Sequence, residues 1–287
     1  MPSLGARLVI SLLTSLLGLT GSAAAGPLDW LLRDDGERVD DPAELIAQCH
    51  ERVGDDALDP SSAGTMEFFR FDGHLGACIY GSLAALPAER IRRLAVLEPD
   101  VLVVRSAGGP VRTWLDLAEA LRRRPRSVIV DGLCASSCAN YVFPTGREKI
   151  VPPGSLVIWH GGPVDDAEAF LRVYGVDNAA LPGFLADGVR SEALYRRWEI
   201  SPEILSDTLG QAPSLADIIV AEGYAMDQLI GFALPPGVLE QCYGFDGLER
   251  YWHAGSALEV LETGSRQFAN SWIALQPSII AEQPCSY

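Results

Sequence analysis

The chain has 287 residues, of which 38 are acidic and 22 basic, giving a net charge of −16 at neutral pH. A surface this negative repels phosphate backbones and anionic lipid, which argues against nucleic acid as a partner. The length suits one large domain with small extensions, and no collagen-like repeat, heptad run or low-complexity tract is present.

The N-terminus reads as a secretory signal. Arg7 gives a positive start, Leu8 to Leu19 is apolar, and Ala23-Ala24-Ala25 offers small residues for cleavage before Gly26. The apolar core is short for a bilayer span, an uncleaved anchor being the alternative, and no later segment approaches transmembrane length. The expectation is an exported protein, periplasmic or secreted, with residues 1–25 removed and no integral membrane span afterwards.

Residues 26–64 are acidic and punctuated by Pro and Asp, with one helical pattern at Ala43–Val53, and read as a loosely packed N-terminal extension. Met66–Phe71 is strand-like, Asp72-Gly73 marks a turn, and His74–Tyr80 returns as a second extended run. Leu86–Val96 has an amphipathic helical pattern begun after Pro87. Val101–Val104 is a short β-branched run of the kind buried in parallel sheets.

Thr113–Arg124 reads as a helix with apolar Trp114, Leu115, Leu117, Ala118 and Leu121, ended by Pro125. Ser127–Val130 is another buried strand, Ser136–Phe143 a helix start, and Leu156–Trp159 a further strand. Such alternation predicts α/β architecture with right-handed crossovers. Phe170–Trp198 is mostly helical with an interruption at Pro182-Gly183, followed by short helices at Pro202–Leu209 and Leu215–Val220. Glu222–Asp227 reads as a glycine stop, Ile230–Leu234 as one more strand, and Ala257–Leu261 as a helix in a mixed, Pro-rich tail.

Six cysteines in an exported chain suggest three disulfides. Cys134 and Cys138 are four residues apart, a spacing that suits a bridge across one turn. Sequence alone allows about fifteen pairings of the six; in the one read here Cys242 and Cys285 would tie the tail to the body, leaving Cys49 with Cys78. No CxxC pair or cysteine–histidine cluster appears, so neither a metal nor a cofactor is expected.

The chemistry concentrates in Gly132-Leu133-Cys134-Ala135-Ser136-Ser137-Cys138. A serine hydroxyl needs a base within hydrogen-bond reach and donors for the oxyanion it generates. Ser136 stands where a helix would begin after a buried strand, so the amide of Ser137 would be unpaired there. Gly108-Gly109 follows another strand and lets backbone approach a substrate, which makes the Gly109 amide the second candidate donor. Taken singly, Ser136 reads equally well as a helix N-cap, and the two glycines as an ordinary loop. His160 ends a third apolar run, so all three groups lie just past strand ends, where α/β sheets gather ligand and catalytic groups. His50, His74 and His253 have no comparable setting.

In order along the chain, Phe71-Asp72-Gly73-His74-Leu75, Ser106-Ala107-Gly108-Gly109-Pro110-Val111, Gly132-Leu133-Cys134-Ala135-Ser136 and His160-Gly161-Gly162 resemble successive landmarks of Clp-type serine peptidases, a branch of the Clp/crotonase superfamily. The 24-residue separation of Ser136 and His160 is close to that family's. The resemblance covers about residues 66–234, as far as the helix-and-turn pattern extends. The Cys-Ala-Ser-x-Cys bracket looks more like exported relatives than the cytosolic protease. The resemblance implies a stacked β-α superhelix of ββα units over 65–236, with an N-terminal extension at 26–64 and a C-terminal extension at 237–287 packed on the domain.

By the same resemblance Ser136 would be the nucleophile, His160 the base, and Gly109 with Ser137 the oxyanion hole. Asp207 is the expected third member, Asp217 the next choice, and Asp165 and Asp166 follow the histidine too closely. The chain departs from the family in carrying Ala107 where proline is usual. Its double serine also leaves open a register in which Ser137 is the nucleophile and Cys138 the donor. Peptides or proteins are the implied substrates, though an esterase uses the same groups. An exported chain has no ATP supply, so the ring and its unfoldase do not carry over. The apolar residues of 170–198 read as core packing, but the equivalent family region joins subunits, which implies a homo-oligomer. A catalytically silent binding or scaffold protein is the alternative of a different class. Acyl-CoA chemistry of the crotonase type is disfavoured by export, since that cofactor is intracellular.

Overall fold

The computed structural model describes residues 42–121, 126–164, 181–210 and 229–255, together with 166, 168, 171, 259, 263–264 and 273–275. The signal segment, Asp165, Asp217, Cys285 and the expected elements at 215–220 and 222–227 lie outside the described residues, as does most of 257–261. Among the described residues no helix is long and apolar enough to cross a membrane.

Strands β1 (Thr65–Phe71) and β2 (His74–Tyr80) form the hairpin that Asp72-Gly73 predicts. Both turn residues have positive φ (43° and 82°), the conformation that matches the right-handed twist of the flanking strands. Helix α2 (Ala88–Leu97) then crosses to β3 (Val101–Ser106), and α3 (Val111–Leu121) crosses to β4 (Ser127–Ala135). These strands continue through β5 (Glu148–Val151) and β8 (Arg250–Tyr251) in the order β1-β2-β3-β4-β5-β8, and β6 (Leu156–Ile158) also pairs with β4. Every pairing except β1–β2 is parallel. The class is α/β, as the alternation of patterns predicts.

Period-2 alternation divides the core between the two faces of the sheet. Leu102 and Val104 of β3 join Val128, Val130 and the buried face of α3, including all five apolar residues named above. Val101 and Val103 face the other way, against Phe69, Tyr80 and Ile129. Helix α1 (Ala43–Val53) covers this second face with Leu45 and Cys49, one turn apart and fully buried, and the Cys49–Cys78 disulfide joins it to β2. The loosely packed extension is thus corrected over its described part: α1 belongs to the core. A buried polar knot adds to the attachment. Asp131 accepts hydrogen bonds from the Tyr80 hydroxyl (2.9 Å) and bonds His50 Nε2 (2.7 Å), with the Arg105 guanidinium 3.6 Å away.

Strand β4 runs five residues past the Val130 limit that its apolar run suggests. Its first half pairs with β5 and its second half, Leu133–Ala135, with β6. Gly132, at φ 73°, lies between the two pairings, and its amide donates to Ser155 Oγ (3.0 Å). β5 has no apolar signature because Lys149 occupies a buried position. Its ammonium bonds the carbonyls of Gly146 (2.6 Å) and Asp246 (2.8 Å) and the Asp246 carboxylate (3.1 Å). Burial pushes the Lys149 pKa down, with Asp246 opposing.

The tail beyond 237 is built into the domain through β8, with Phe245 and Tyr251 packed on Phe143. Helices α4 (Leu181–Arg197) and α5 (Glu203–Gly210) lie before β7 (Leu229–Phe232), which pairs with β9 (Ile273–Leu275) in a separate sheet. Pro182-Gly183, the expected interruption, falls within the described helix α4.

Removing the Asp131 carboxylate leaves a buried phenol without its acceptor and a nearly buried guanidinium without its counter-charge, though the Leu58 and Asp131 carbonyls still accept from the latter. Asp131→Ala is expected to lower the unfolding free energy by about 3 kcal/mol in urea titration, and His50→Ala by about 1 kcal/mol because its ring is part-exposed.

Candidate active site

Ser136 follows the last residue of β4 and adopts a left-handed conformation, φ 56°. For a residue with a Cβ this is a strained turn, of order 1 kcal/mol, that must be held by its surroundings. Two features hold it. The Ser136 amide donates to the Ile158 carbonyl (2.9 Å), continuing the β4–β6 ladder by one rung. Cys134 and Cys138 on either side are joined in a disulfide with Cα atoms 5.2 Å apart. After the elbow the chain makes one wide turn, Cys138–Val142, in which the Phe143 amide reaches back to the Cys138 carbonyl. Turns of this i→i+5 kind recur at functional sites. The expected α-helical start is therefore corrected to a π turn. It is bolted to α4 by two buried tyrosines, Tyr141 to Ser191 Oγ and Tyr195 to the Asn140 carbonyl, each at 2.9 Å.

Because Ala135 pairs with Ile158, the residues just beyond the two strand ends become neighbours. The His160 Nε2 lies 2.5 Å from Ser136 Oγ. Burial lowers the imidazole pKa from its ordinary value, and a hydrogen bond to its own backbone carbonyl opposes this. The ring is therefore neutral at pH 7, the state in which Nε2 can accept the serine proton. Behind the histidine, Trp159 exchanges two backbone hydrogen bonds with Phe232 of β7, and its indole packs edge-on against Phe143 and Phe245. Gly231 permits that approach: a Cβ there would sit 2.1 Å from the Trp159 carbonyl oxygen and 3.0 Å from His160 Cβ.

The Gly108-Gly109 segment presses against the elbow from the other side. A Cβ on Gly108 would lie 2.6 Å from Ser136 Cβ, and one on Gly109 2.2 Å from the Ser82 carbonyl oxygen. Ser106 Oγ donates to the Gly81 carbonyl (2.6 Å) and accepts from the Gly108 amide (2.9 Å), so the loop begins on a buried anchor. Ser137 Oγ donates to the Gly109 carbonyl (3.0 Å). That bond ties the two glycines to the elbow and turns Ser137 away from His160, so it is Ser136 that faces the imidazole. The amides of Gly109 and Ser137 have no acceptor among the described residues. Two unpaired donors beside a serine–imidazole pair are the arrangement an oxyanion requires.

Asp207 is placed differently from the expectation. Its carboxylate accepts a hydrogen bond from the Tyr243 hydroxyl (3.2 Å), and no carboxylate contacts the His160 ring among the described residues. Burial raises the Asp207 pKa, the Tyr243 hydroxyl opposes, and Glu203 adds to the rise. Asp166 accepts from the Glu168 amide in an exposed turn. His50 is engaged with Asp131, His74 lies 3.5 Å from Asp100, and His253 approaches the Ala233 carbonyl at 3.3 Å. The Cys49–Cys78 and Cys134–Cys138 pairings are those expected, and Cys242 is also disulfide-bonded. No cluster of three potential metal ligands occurs among the described residues. Sequence reasoning missed Asn140, Tyr195 and Gly231, whose partners all lie on distant segments.

No sequence-family profile matches the chain, and no curated protein does. Among solved structures it is similar to a probable enoyl-CoA hydratase from Mycobacterium tuberculosis H37Rv, at 13% identity over 55% of this chain and 95% of that one, TM-score 0.28. An enoyl-CoA hydratase from Mycobacterium smegmatis shares 14% identity over 71% of this chain and 89% of its own, TM-score 0.28. A putative enoyl-CoA hydratase/isomerase from Novosphingobium aromaticivorans DSM 12444 shares 14% over 55% and 80%, TM-score 0.26. The fold rests on the strand order described above.

Gly108→Ala forces a side chain onto Ser136 and is expected to slow reaction of a serine-directed fluorophosphonate about a hundredfold, the scale of an ångström misplacement. Gly154 also has positive φ but opens onto free space. Gly154→Ala is expected to lower stability by about 1 kcal/mol and leave that rate unchanged.

Proposed function

We propose that the chain is an exported serine hydrolase, acting on peptides or proteins through a Ser136–His160 pair and a backbone oxyanion hole. The observation that carries the reading is the 2.5 Å contact between Ser136 Oγ and His160 Nε2 at the ends of two paired strands. The lowered imidazole pKa supports it, since a neutral base is available at physiological pH.

In this reading Ser136 Oγ attacks the substrate carbonyl carbon while its proton passes to Nε2. The carbonyl oxygen gains the negative charge and meets the Gly109 and Ser137 amides, whose hydrogen bonds strengthen as the charge develops. Collapse breaks the bond to the leaving group, which takes the proton from the imidazolium, and leaves an acyl ester on Ser136. Water then gives a proton to His160 and its oxygen to the acyl carbon, releasing the acid and restoring the serine. The peptide preference comes from the sequence landmarks, and export from the N-terminal signal pattern and the paired cysteines.

The test is reaction of the mature, oxidised protein with a fluorophosphonate probe. Labelling is expected in the wild type and in Ser137→Ala, and not in Ser136→Ala or His160→Ala. A folded wild type that takes up no probe would make the chain a non-catalytic binding protein. The labelling rate is also expected to rise with pH, because only the neutral imidazole accepts the proton. Since burial depresses the His160 pKa, the midpoint should fall below about 6.5, with a plateau through neutral pH.

A further inference from the structure

Asn140 sits in the wide turn after the elbow and is buried. Its backbone amide donates to the Ser136 carbonyl (2.9 Å). Its side-chain Nδ2 donates to the carbonyl of Gly161, the residue after His160, also at 2.9 Å. The Asn140 carbonyl in turn accepts the Tyr195 hydroxyl (2.9 Å), which anchors the residue to α4. Gly162 completes the contact. A Cβ at that position would lie 2.9 Å from Asn140 Nδ2 and 2.8 Å from Leu205 Cδ2, and the Gly162 amide donates to the Leu205 carbonyl (3.2 Å). One residue is therefore bonded to the peptide of the nucleophile and to the peptide that follows the base.

We propose that Asn140 is the positioning residue of the Ser136–His160 pair, an inference that rests on the serine-hydrolase reading. By holding the Gly161 carbonyl it sets where the His160 backbone leaves β6, and so the distance and tilt of the ring at Ser136 Oγ. Two observations separate this role from simple packing. The other side-chain atom, Oδ1, is buried and has no hydrogen-bond partner among the described residues. An apolar residue of the same size would remove that unpaired acceptor but leave the buried Gly161 carbonyl without its donor, so the one side-chain hydrogen bond this residue makes is spent on the segment that carries His160. The amide is also uncharged. A carboxylate set against the imidazole would raise its pKa, whereas a neutral clamp orients the histidine and leaves it in the deprotonated form that burial favours.

The experiment uses the full, oxidised chain and compares wild type, Asn140→Leu and Asn140→Asp. Fluorophosphonate labelling rates are measured from pH 5 to 9, thermal midpoints at each pH, and the His160 titration by imidazole NMR. Asn140→Leu removes the unpaired Oδ1 but orphans the Gly161 carbonyl, so its thermal midpoint is expected to fall modestly with the chain still folded at 25 °C, while labelling of the folded protein slows about tenfold or more. Its His160 signal is expected to titrate at a different pH from the wild type. Asn140→Asp should be slow at neutral pH, where an ionised carboxylate faces the Gly161 carbonyl. Its rate relative to wild type should recover at low pH, where the protonated acid can donate as the amide did.

Asn140→Leu labelling at the wild-type rate with an unchanged His160 midpoint would overturn the proposal. So would a loss of labelling that only follows the unfolded fraction. If the wild type itself is not labelled, the hydrolase reading fails and the NMR titration alone decides. A shifted His160 midpoint in Asn140→Leu then supports the positioning contact, and an unshifted one overturns it.

Discussion

Beyond Gly132 the fourth strand of the sheet exchanges one neighbour for another, leaving β5 and pairing with β6, and the candidate site depends on that exchange. Parallel pairing of Leu133–Ala135 with Leu156–Ile158 aligns two strand ends that are more than twenty residues apart in sequence. Ser136 steps off one end and His160 off the other. The Ser136 amide, spent on the Ile158 carbonyl, carries the ladder into the elbow itself. A parallel ladder leaves little freedom in register when both strands are buried, because a one-residue slip would invert every side chain. The separation of hydroxyl and imidazole is thus a consequence of the pairing.

Around that pair the molecule uses rigid backbone more than charge. The disulfide across the elbow, the Ser137 bond to Gly109, the glycine contacts at 108 and 231 and the aromatic packing on Trp159 each restrict one approach to the site. Among the described residues the charged groups are engaged elsewhere, with Asp131 tying α1 to the sheet and Lys149 tying the tail to β5. Burial alone accounts for the lowered pKa of His160. A base kept neutral by desolvation and oriented by neutral groups differs from one supported by a carboxylate, which would stabilise the imidazolium and raise its pKa.

Much of the architecture was legible from local pattern. The Asp72-Gly73 turn, the buried runs at 101 and 127, and the apolar face of α3 each follow from rules that act within one element. The sequence reading failed where an element owes its existence to a distant partner. β5 reads as polar because Lys149 finds its acceptors about a hundred residues away, at Asp246. α1 reads as a loose extension because its buried face, Leu45 and Cys49, is only two residues wide and needs the sheet to cover it. Asp207 was chosen by resemblance, and its carboxylate is instead paired with Tyr243 from α6 (Pro236–Tyr243).

The sequence by itself determined the α/β class, the short-range cysteine pair at 134/138, and the placement of Gly109, Ser136 and His160 just beyond strands, since periodicity, spacing and turn chemistry are local properties; the pairing of Cys49 with Cys78 was one of several it allowed. It favoured Ser136 and left open a register in which Ser137 took its place. Only the tertiary structure decided between them, by turning Ser137 Oγ onto the Gly109 carbonyl and Ser136 Oγ onto His160. It also decided that β4 continues through Gly132 and that Asn140 bridges the segments that carry Ser136 and His160. The physical reason is the same in each case: these are contacts between chain segments remote in sequence, selected by strand pairing and close packing, and no local pattern records them.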